Sequence, residues 1–359
     1  MKIGSVAVDP SFALAPMAGM TDTAFRRLVK RRGGCGLVVT EMVSSEGLVR
    51  GIDRTLEYAE YTEEERPVSI QIFGGDPEKM AAAARIVEGM GADIVDINMG
   101  CPVPKIAKHN AGCSLMREPE HAQAVVASMV KAVSIPVTVK MRAGWDERDV
   151  NAPELARRME DAGAAAVAVH GRTAAQSYSG SADWNLIERV AEGVRIPVFG
   201  SGDCIEPDQL VARARGGVSG VLVGRGALRN PWIFEQAASL ARGEAPAPVT
   251  DADRARFLLD YIDLLIHERT GEREGFRHVA PGLDGCDPAP ARGEAARGHD
   301  RWVINKLRAL NSWYTKGLDN GSHLRVAINA AESIAQLRDT IERFFTVAPV
   351  QRGPSSVIS

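Results

Sequence analysis

Eight short runs of apolar residues punctuate the first two thirds of the chain, at 12–17, 37–42, 68–73, 94–99, 137–141, 166–170, 197–200 and 220–224. Inside each run apolar residues follow one another instead of alternating with polar ones. Strands of that pattern are covered on both faces, as parallel strands under helices are. The stretches between them are rich in Ala, Glu and Arg, and their lengths suit the helix of a βα unit. Eight such units close into a barrel more readily than they spread into an open sheet. The pattern therefore predicts an α/β protein, a TIM (β/α)8 barrel over residues 1–240, with residues 3–8 as a hairpin plugging its bottom.

The pattern changes after Arg229-Asn230-Pro231-Trp232. Ala245-Pro246-Ala247-Pro248 reads as a linker, and 251–267 as an amphipathic helix. Residues 271–298 are rich in Gly, Pro, Ala and Arg without an apolar period, the composition of a flexible insert. Residues 302–345 are helical again. A smaller, all-helical C-terminal domain is expected over 250–346.

Composition narrows the class. The 359 residues are 45% hydrophobic and 25% charged, as in a folded, water-soluble protein. No apolar run approaches the ~20 residues that span a bilayer, and Met1-Lys2-Ile3-Gly4-Ser5-Val6 lacks the apolar core of a signal peptide. The five cysteines (Cys35, Cys101, Cys113, Cys204, Cys286) are scattered and show no metal-ligand spacing. They argue for a reducing cytoplasm, no disulfide framework and no metal. A formal net charge of -3 gives no global sign of nucleic-acid binding. A polyanion would have to be held by a local basic face, and three clusters offer one. Arg26, Arg27, Lys30, Arg31 and Arg32 follow the first strand, and Lys105 and Lys108 follow the fourth. Residues 301–345 hold seven Arg or Lys against four acids. Any one cluster alone reads equally well as a solvated helix face. Three together fit a phosphate backbone.

In a barrel the C-terminal ends of the strands build the site. The most informative end is Asp96-Ile97-Asn98-Met99-Gly100-Cys101-Pro102. A free cysteine is more often a small buried hydrophobe. Here Gly100 and Pro102 end the strand and leave Cys101 on the loop, which favours a working thiol. Lys140 ends an apolar strand, so it meets an anion or an electron-rich ring, bears a covalent intermediate, or pairs with a buried acid such as Glu41. Gln71 offers an amide suited to the edge of a pyrimidine-like ring. Pro16, Met17 and Ala18 supply an apolar floor, and His170 ends the sixth strand. Ser201, Gly202 and Asp203 follow the seventh strand, and Gly224 and Arg225 the eighth, where barrels commonly cradle phosphate on backbone N–H groups. Together these ends describe a flavin mononucleotide pocket.

Four segments carry a closer resemblance: Leu14-Ala15-Pro16-Met17-Ala18-Gly19-Met20-Thr21-Asp22 with Phe25-Arg26, the cysteine segment 96–102, His170-Gly171-Arg172-Thr173, and Gly224-Arg225-Gly226. They resemble the tRNA-dihydrouridine synthases, most of all the bacterial DusB branch, in register over residues 3–240 and more loosely to 345. The resemblance implies an FMN-dependent reductase of uridine in tRNA that uses NADPH or NADH. It implies that Pro16, Met17 and Ala18 lie against the flavin, that Gln71 and Lys140 bond its ring, and that Ser201, Gly202, Asp203, Gly224 and Arg225 hold its phosphate end. Cys101 would be the general acid. Asn98, Lys105 and His170 would position the uracil or the flavin, and Arg142 and Arg308 would contact substrate. A monomer is expected. Three departures stand out, one of them the insert at 271–298. Ser201 replaces a common Asn, and Arg308-Ala309-Leu310-Asn311 keeps only the arginine of a usual Arg-Lys-His cluster.

Reducing the uracil C5–C6 double bond needs a hydride at C6 and a proton at C5. A thiol that stays protonated near neutral pH supplies the proton. Three alternatives remain open on the residues alone. One is a flavin barrel reductase of a free pyrimidine, similar to dihydroorotate dehydrogenases. The others are a Schiff-base enzyme using Lys140 and a tRNA-binding module without activity.

Overall fold

A computed structural model describes residues 1–107, 110–267, 270, 272–281 and 294–346. Eight parallel strands form the barrel: β1 (Phe12–Leu14), β2 (Leu37–Val39), β3 (Val68–Phe73), β4 (Ile94–Met99), β5 (Val137–Arg142), β6 (Ala166–His170), β7 (Val198–Ser201) and β8 (Gly220–Val223). Each pairs with its successor in the chain. Closure comes from β8 on β1, with Val221 opposite Phe12 and Val223 opposite Leu14. A short extra strand, Val43–Ser44, pairs with Ile72 and Phe73. The expected TIM (β/α)8 barrel is the observed architecture.

The strand positions follow from burial. Val68, Ile70, Ile72, Ile94, Val95, Ile97, Val139 and Val221 are fully buried, under helices outside or packed side chains inside. Observed strands are shorter than the apolar runs where chemistry intervenes. β1 stops at Leu14 because Pro16 has no N–H to give a ladder. The hairpin of Lys2–Ile3 and Val6–Ala7 forms at the N-terminus. Ile3 and Val8 join Ala13, Leu37, Ile94 and Phe199 in one apolar cluster, as a plug would.

The chain divides into two compact units. One is Met1–Pro246 joined by residues 272–281; the other comprises residues 247–267 and 294–346. The second unit is built from helices Asp251–Ile266, Glu294–Tyr314, Gly321–Ala330 and Ile334–Thr346. Phe257 stacks on Tyr314 at 5.7 Å, and the Tyr314 hydroxyl donates to the Arg254 carbonyl at 3.0 Å.

The expectation for 271–298 needs correcting in two places. Arg277–His278 form a strand on Tyr61–Thr62 of the barrel unit. Arg277 pairs with Glu60 at 3.2 Å and Glu272 at 2.8 Å, and His278 stacks on Tyr61 at 4.5 Å. Ion pairs and one ring stack, not an apolar period, tie this segment down. Helix Glu294–Tyr314 also begins inside the stretch. Residues 282–293 lie outside the described residues.

Candidate active site

Alternation along β3, β4 and β5 puts Gln71, Asp96, Asn98, Thr138 and Lys140 at neighbouring positions. Asp96 lies in register with Gln71 and Thr138, and Asn98 with Lys140. The Thr138 hydroxyl donates to Asp96 Oδ1 at 2.6 Å, and Gln71 Nε2 donates to Asp96 Oδ2 at 2.7 Å. Asn98 Nδ2 donates to Gln71 Oε1 at 2.7 Å. Asn98 Oδ1 then accepts from Gly100 N–H at 3.1 Å and from Cys101 N–H at 2.9 Å. One hydrogen-bonded row thus runs from a buried carboxylate to the backbone of the thiol-bearing loop. It fixes which way the Gln71 and Asn98 amides point. Burial holds the Asp96 carboxyl above its usual range, against the hydrogen bonds of Gln71 and Thr138 and the charge of Lys140.

Gln71 is fully buried with both amide atoms engaged, so one N–H is left without an acceptor among the described residues. Asp96 is the residue that the strand-end reading passed over. Its signal was a lone carboxylate inside an otherwise apolar strand.

Lys140 makes no hydrogen bond or ion pair among the described residues. The Glu41 pairing does not form; Glu41 Oε2 instead accepts the Gly19 N–H at 2.5 Å. Burial and the charge of Arg142 push the Lys140 ammonium down to about 8, with Asp96 and Cys101 opposing.

Arg142 is bound differently from a substrate contact. Its Nε donates to the Gly100 carbonyl at 2.8 Å, and Nη1 to the Thr173 and Ser177 carbonyls, both at 3.0 Å. It braces the cysteine loop against the loop after β6, and the bracing uses these donors.

His170 ends β6 and is buried. Desolvation, then the charges of Lys140, Arg142, Arg172 and Arg225, push its imidazole down to about 2, so it stays neutral. Four cations facing one neutral ring make an electropositive pocket. Asp203 answers two of them: Oδ2 accepts from Arg172 Nη2 at 2.8 Å, and Oδ1 lies 3.5 Å from Arg225. The Arg172 Nη1 atom is buried and has no hydrogen-bond partner among the described residues. Sequence reasoning placed Arg172 at a strand end without giving it a task. Exposed Tyr178 was also missed; Arg225 lies over its ring at 4.6 Å.

Ser201, Gly202 and Asp203 follow one another at the end of β7. The N–H groups of Gly202, Asp203, Gly224 and Arg225 donate to no acceptor among the described residues. Gly202 has φ 129°, and a Cβ there would come 2.5 Å from Ala182 Cβ and 3.1 Å from His170. Only glycine lets the backbone run so close to the imidazole. Open N–H groups beside unanswered cations are what an anion of phosphate type needs. Across the mouth, Pro16 and Met17 are half-buried and Ala18 exposed, in a turn that Thr21 closes onto Met17 at 3.0 Å.

Of two further expected contacts, one belongs to the second unit and one falls on a side chain outside the described residues. Arg308 belongs to the second unit, where Nη2 donates to the Ala331 carbonyl at 2.9 Å and closes the end of helix Gly321–Ala330. The side chain of Lys105, and Lys108 as a whole, lie outside the described residues.

The Arg26 cluster does not form a free basic face. Arg26 is 1% exposed and donates to Glu65 at 2.5 Å, Thr21 O at 2.7 Å and Glu60 O at 2.8 Å. Arg27 pairs with Glu64 and Glu272, Arg31 with Glu64, and Lys30 bonds the Cys35 carbonyl. Arg32 lies over the Trp232 ring at 5.5 Å. The acids come from residues 60–65 and 272, far along the chain from the arginines.

The family profile described as "Dihydrouridine synthase (Dus)" matches residues 13–291. The "Probable tRNA-dihydrouridine synthase" of Rickettsia bellii is 36% identical over 350 residues, covering 96% of this chain and 98% of that one. The "tRNA-dihydrouridine synthase B" of Xanthomonas axonopodis pv. citri is 36% identical over 355 residues, 97% of this chain and 98% of that one. In fold the chain is similar to morphinone reductase, with TM-score 0.50 and 13% identity over 70% of this chain and 91% of that one. On the profile and on these relatives, the chain belongs to the dihydrouridine synthase family.

Proposed function

We propose that this chain reduces the C5–C6 double bond of specific uridines in tRNA, with bound FMN, NADPH or NADH as reductant, and Cys101 as proton donor. The observation that carries the reading is the row Asp96–Gln71–Asn98–Cys101, which ties a ring-reading amide to the loop of a thiol. Lys140, with no partner among the described residues, and the buried Arg172 Nη1 fit an anionic, ring-bearing cofactor. So do the open N–H groups of Gly202, Asp203, Gly224 and Arg225.

FMN, when bound and reduced, supplies a hydride for C6. Pro16, Met17 and Ala18 would bear against its ring. Lys140 would steady negative charge on it, and the remaining N–H of Gln71 would meet its edge. His170, kept neutral, would serve as a hydrogen-bonding group and not as an acid. Ser201 and Asp203 would orient the phosphate end, Asp203 by aiming Arg172 and Arg225 and not by touching an anion itself. Asn98 would hold Cys101 where its S–H proton passes to C5. Arg142 would act by bracing that loop. The target base must leave its stack, at a cost of about a few kcal/mol, so a wide grip on tRNA is needed. The helical unit would supply it through those cations of residues 301–345 that Asp263 and Asp339 do not already pair, as they do Arg338 and Arg343. Arg301 and Lys316 are exposed there.

The test is direct. Purified protein should be yellow and, with NADPH, should form dihydrouridine in unmodified tRNA while leaving free uridine and orotate-like pyrimidines unreduced. Reduction of free pyrimidine at a rate matching tRNA would overturn the reading in favour of a small-molecule reductase.

A further inference from the structure

We propose that Cys101 and Cys113 form a modification site, a thiol pair that a peroxide converts into a reversible disulfide. Cys101 is half-buried on the loop after β4, and Cys113 is buried in the 3-10 turn Gly112–Arg117. The Cys113 N–H donates to the Cys101 carbonyl at 3.1 Å. Bond lengths and the fixed angle at the carbonyl carbon then hold the two Cα atoms within about 7 Å, the outer limit of disulfide geometry. Gly112 has φ 62°, and a Cβ built there would meet the Cys101 carbonyl at 2.7 Å and the Cys101 Cβ at 3.4 Å. A glycine before Cys113 therefore brings this turn down onto the cysteine loop. The Cys101 Cβ lies against the turn that carries Cys113.

The pair divides the labour of a redox site. Cys101 is reachable by a small oxidant. Burial, and then the charge of Cys101, raise the Cys113 thiol above its ordinary range, so it is protected until its neighbour reacts. Cys101 sulfur attacks the peroxide. An S–O bond forms, the O–O bond breaks, and two electrons pass to the peroxide, which leaves as water or an alcohol. Cys113 sulfur then displaces hydroxide from the sulfenic acid. An S–S bond forms, the S–O bond breaks, and the Cys113 proton leaves with hydroxide as water. A dithiol reverses the bond by exchange. The other described thiols, Cys35 and Cys204, are buried and pushed up to about 11 and about 12 by that burial, the state of inert structural cysteines.

Loss of activity on oxidation rests on Cys101 as the proton donor; the disulfide itself does not. The full chain is treated with hydrogen peroxide, alkylated with iodoacetamide, digested without reduction and mapped by mass spectrometry. The expected product links the Cys101 peptide to the Cys113 peptide, and dithiothreitol restores activity on tRNA. Cys113→Ser and Cys113→Ala should start with wild-type activity, give no linked peptide, and lose activity in a way that dithiothreitol does not recover, with Cys101 as sulfinic acid. Wild-type protein that yields sulfinic Cys101 without the link, or links Cys101 to Cys286, would overturn the proposal. A linked protein that keeps full activity would uphold the disulfide and overturn Cys101 as proton donor.

Discussion

Arg26 and Arg225 both follow barrel strands, and both stand in basic stretches of sequence, yet only one is available to a ligand. Arg26 is enclosed by Glu65, Thr21 and the Glu60 carbonyl, and its neighbours Arg27 and Arg31 share Glu64. Among the described residues, Arg225 meets Asp203 at 3.5 Å and an exposed tyrosine ring, while Lys140 and the Nη1 of Arg172 have no partner there. The first group has had its charge answered from residues 60–65 and 272. The second has fewer acids than cations. Local charge density in a sequence therefore says little about binding, because the answering carboxylates arrive from anywhere in the chain.

Removing a cation should have opposite consequences in the two places. Arg26→Ala leaves the Glu65 carboxylate buried without its partner, and we expect the fold to lose about 3–5 kcal/mol, read as a large fall in Tm. Arg225→Ala should leave Tm nearly unchanged and weaken FMN binding on the order of 10- to 100-fold, the worth of one charge-assisted hydrogen bond. Riboflavin, which lacks the phosphate, should bind both proteins alike. A stable Arg26→Ala protein with impaired tRNA binding would break the comparison.

Lys140 sharpens it through pH. Burial lowers its pKa from 10.5 to about 8, so the group is cationic below pH 8 and neutral above. A rate that needs the cation falls as pH rises through about 8. Flavin reduction by NADPH should show that fall, on the order of tenfold per pH unit at most. Lys140→Ala should be slow and flat across the same range, and Lys140→Arg should keep its rate above pH 8. An unchanged profile in Lys140→Ala would remove Lys140 from this role.

The barrel was legible in the sequence because strands buried on both faces are written as continuous apolar runs, and eight of them specify closure. The strand-end positions were legible for the same reason: Cys101, Lys140 and Gln71 interrupt or end those runs. Partnerships were not. Nothing near Arg142 announces that Gly100, Thr173 and Ser177 carbonyls take its donors. Nothing near Arg277 announces Glu60, which lies 217 residues away. Residues 272–281 were read as a flexible insert because a two-residue strand held by ion pairs leaves no periodic trace. Arg308 read as a substrate contact because a helix-end carbonyl is invisible in sequence. Arg308→Ala should cost about 1 kcal/mol of stability from that lost bond, the smallest effect expected here. A tRNA affinity unchanged within twofold would separate the brace from a phosphate contact.

The central claim is that Cys101 gives the proton, and stopped-flow spectroscopy of Cys101→Ala tests it most directly. Flavin reduction by NADPH should proceed at the wild-type rate, since the thiol has no part in that step. Reoxidation by unmodified tRNA should slow by roughly 10²–10⁴-fold, the usual worth of a positioned acid. Reoxidation at the wild-type rate would show that the proton comes from another group.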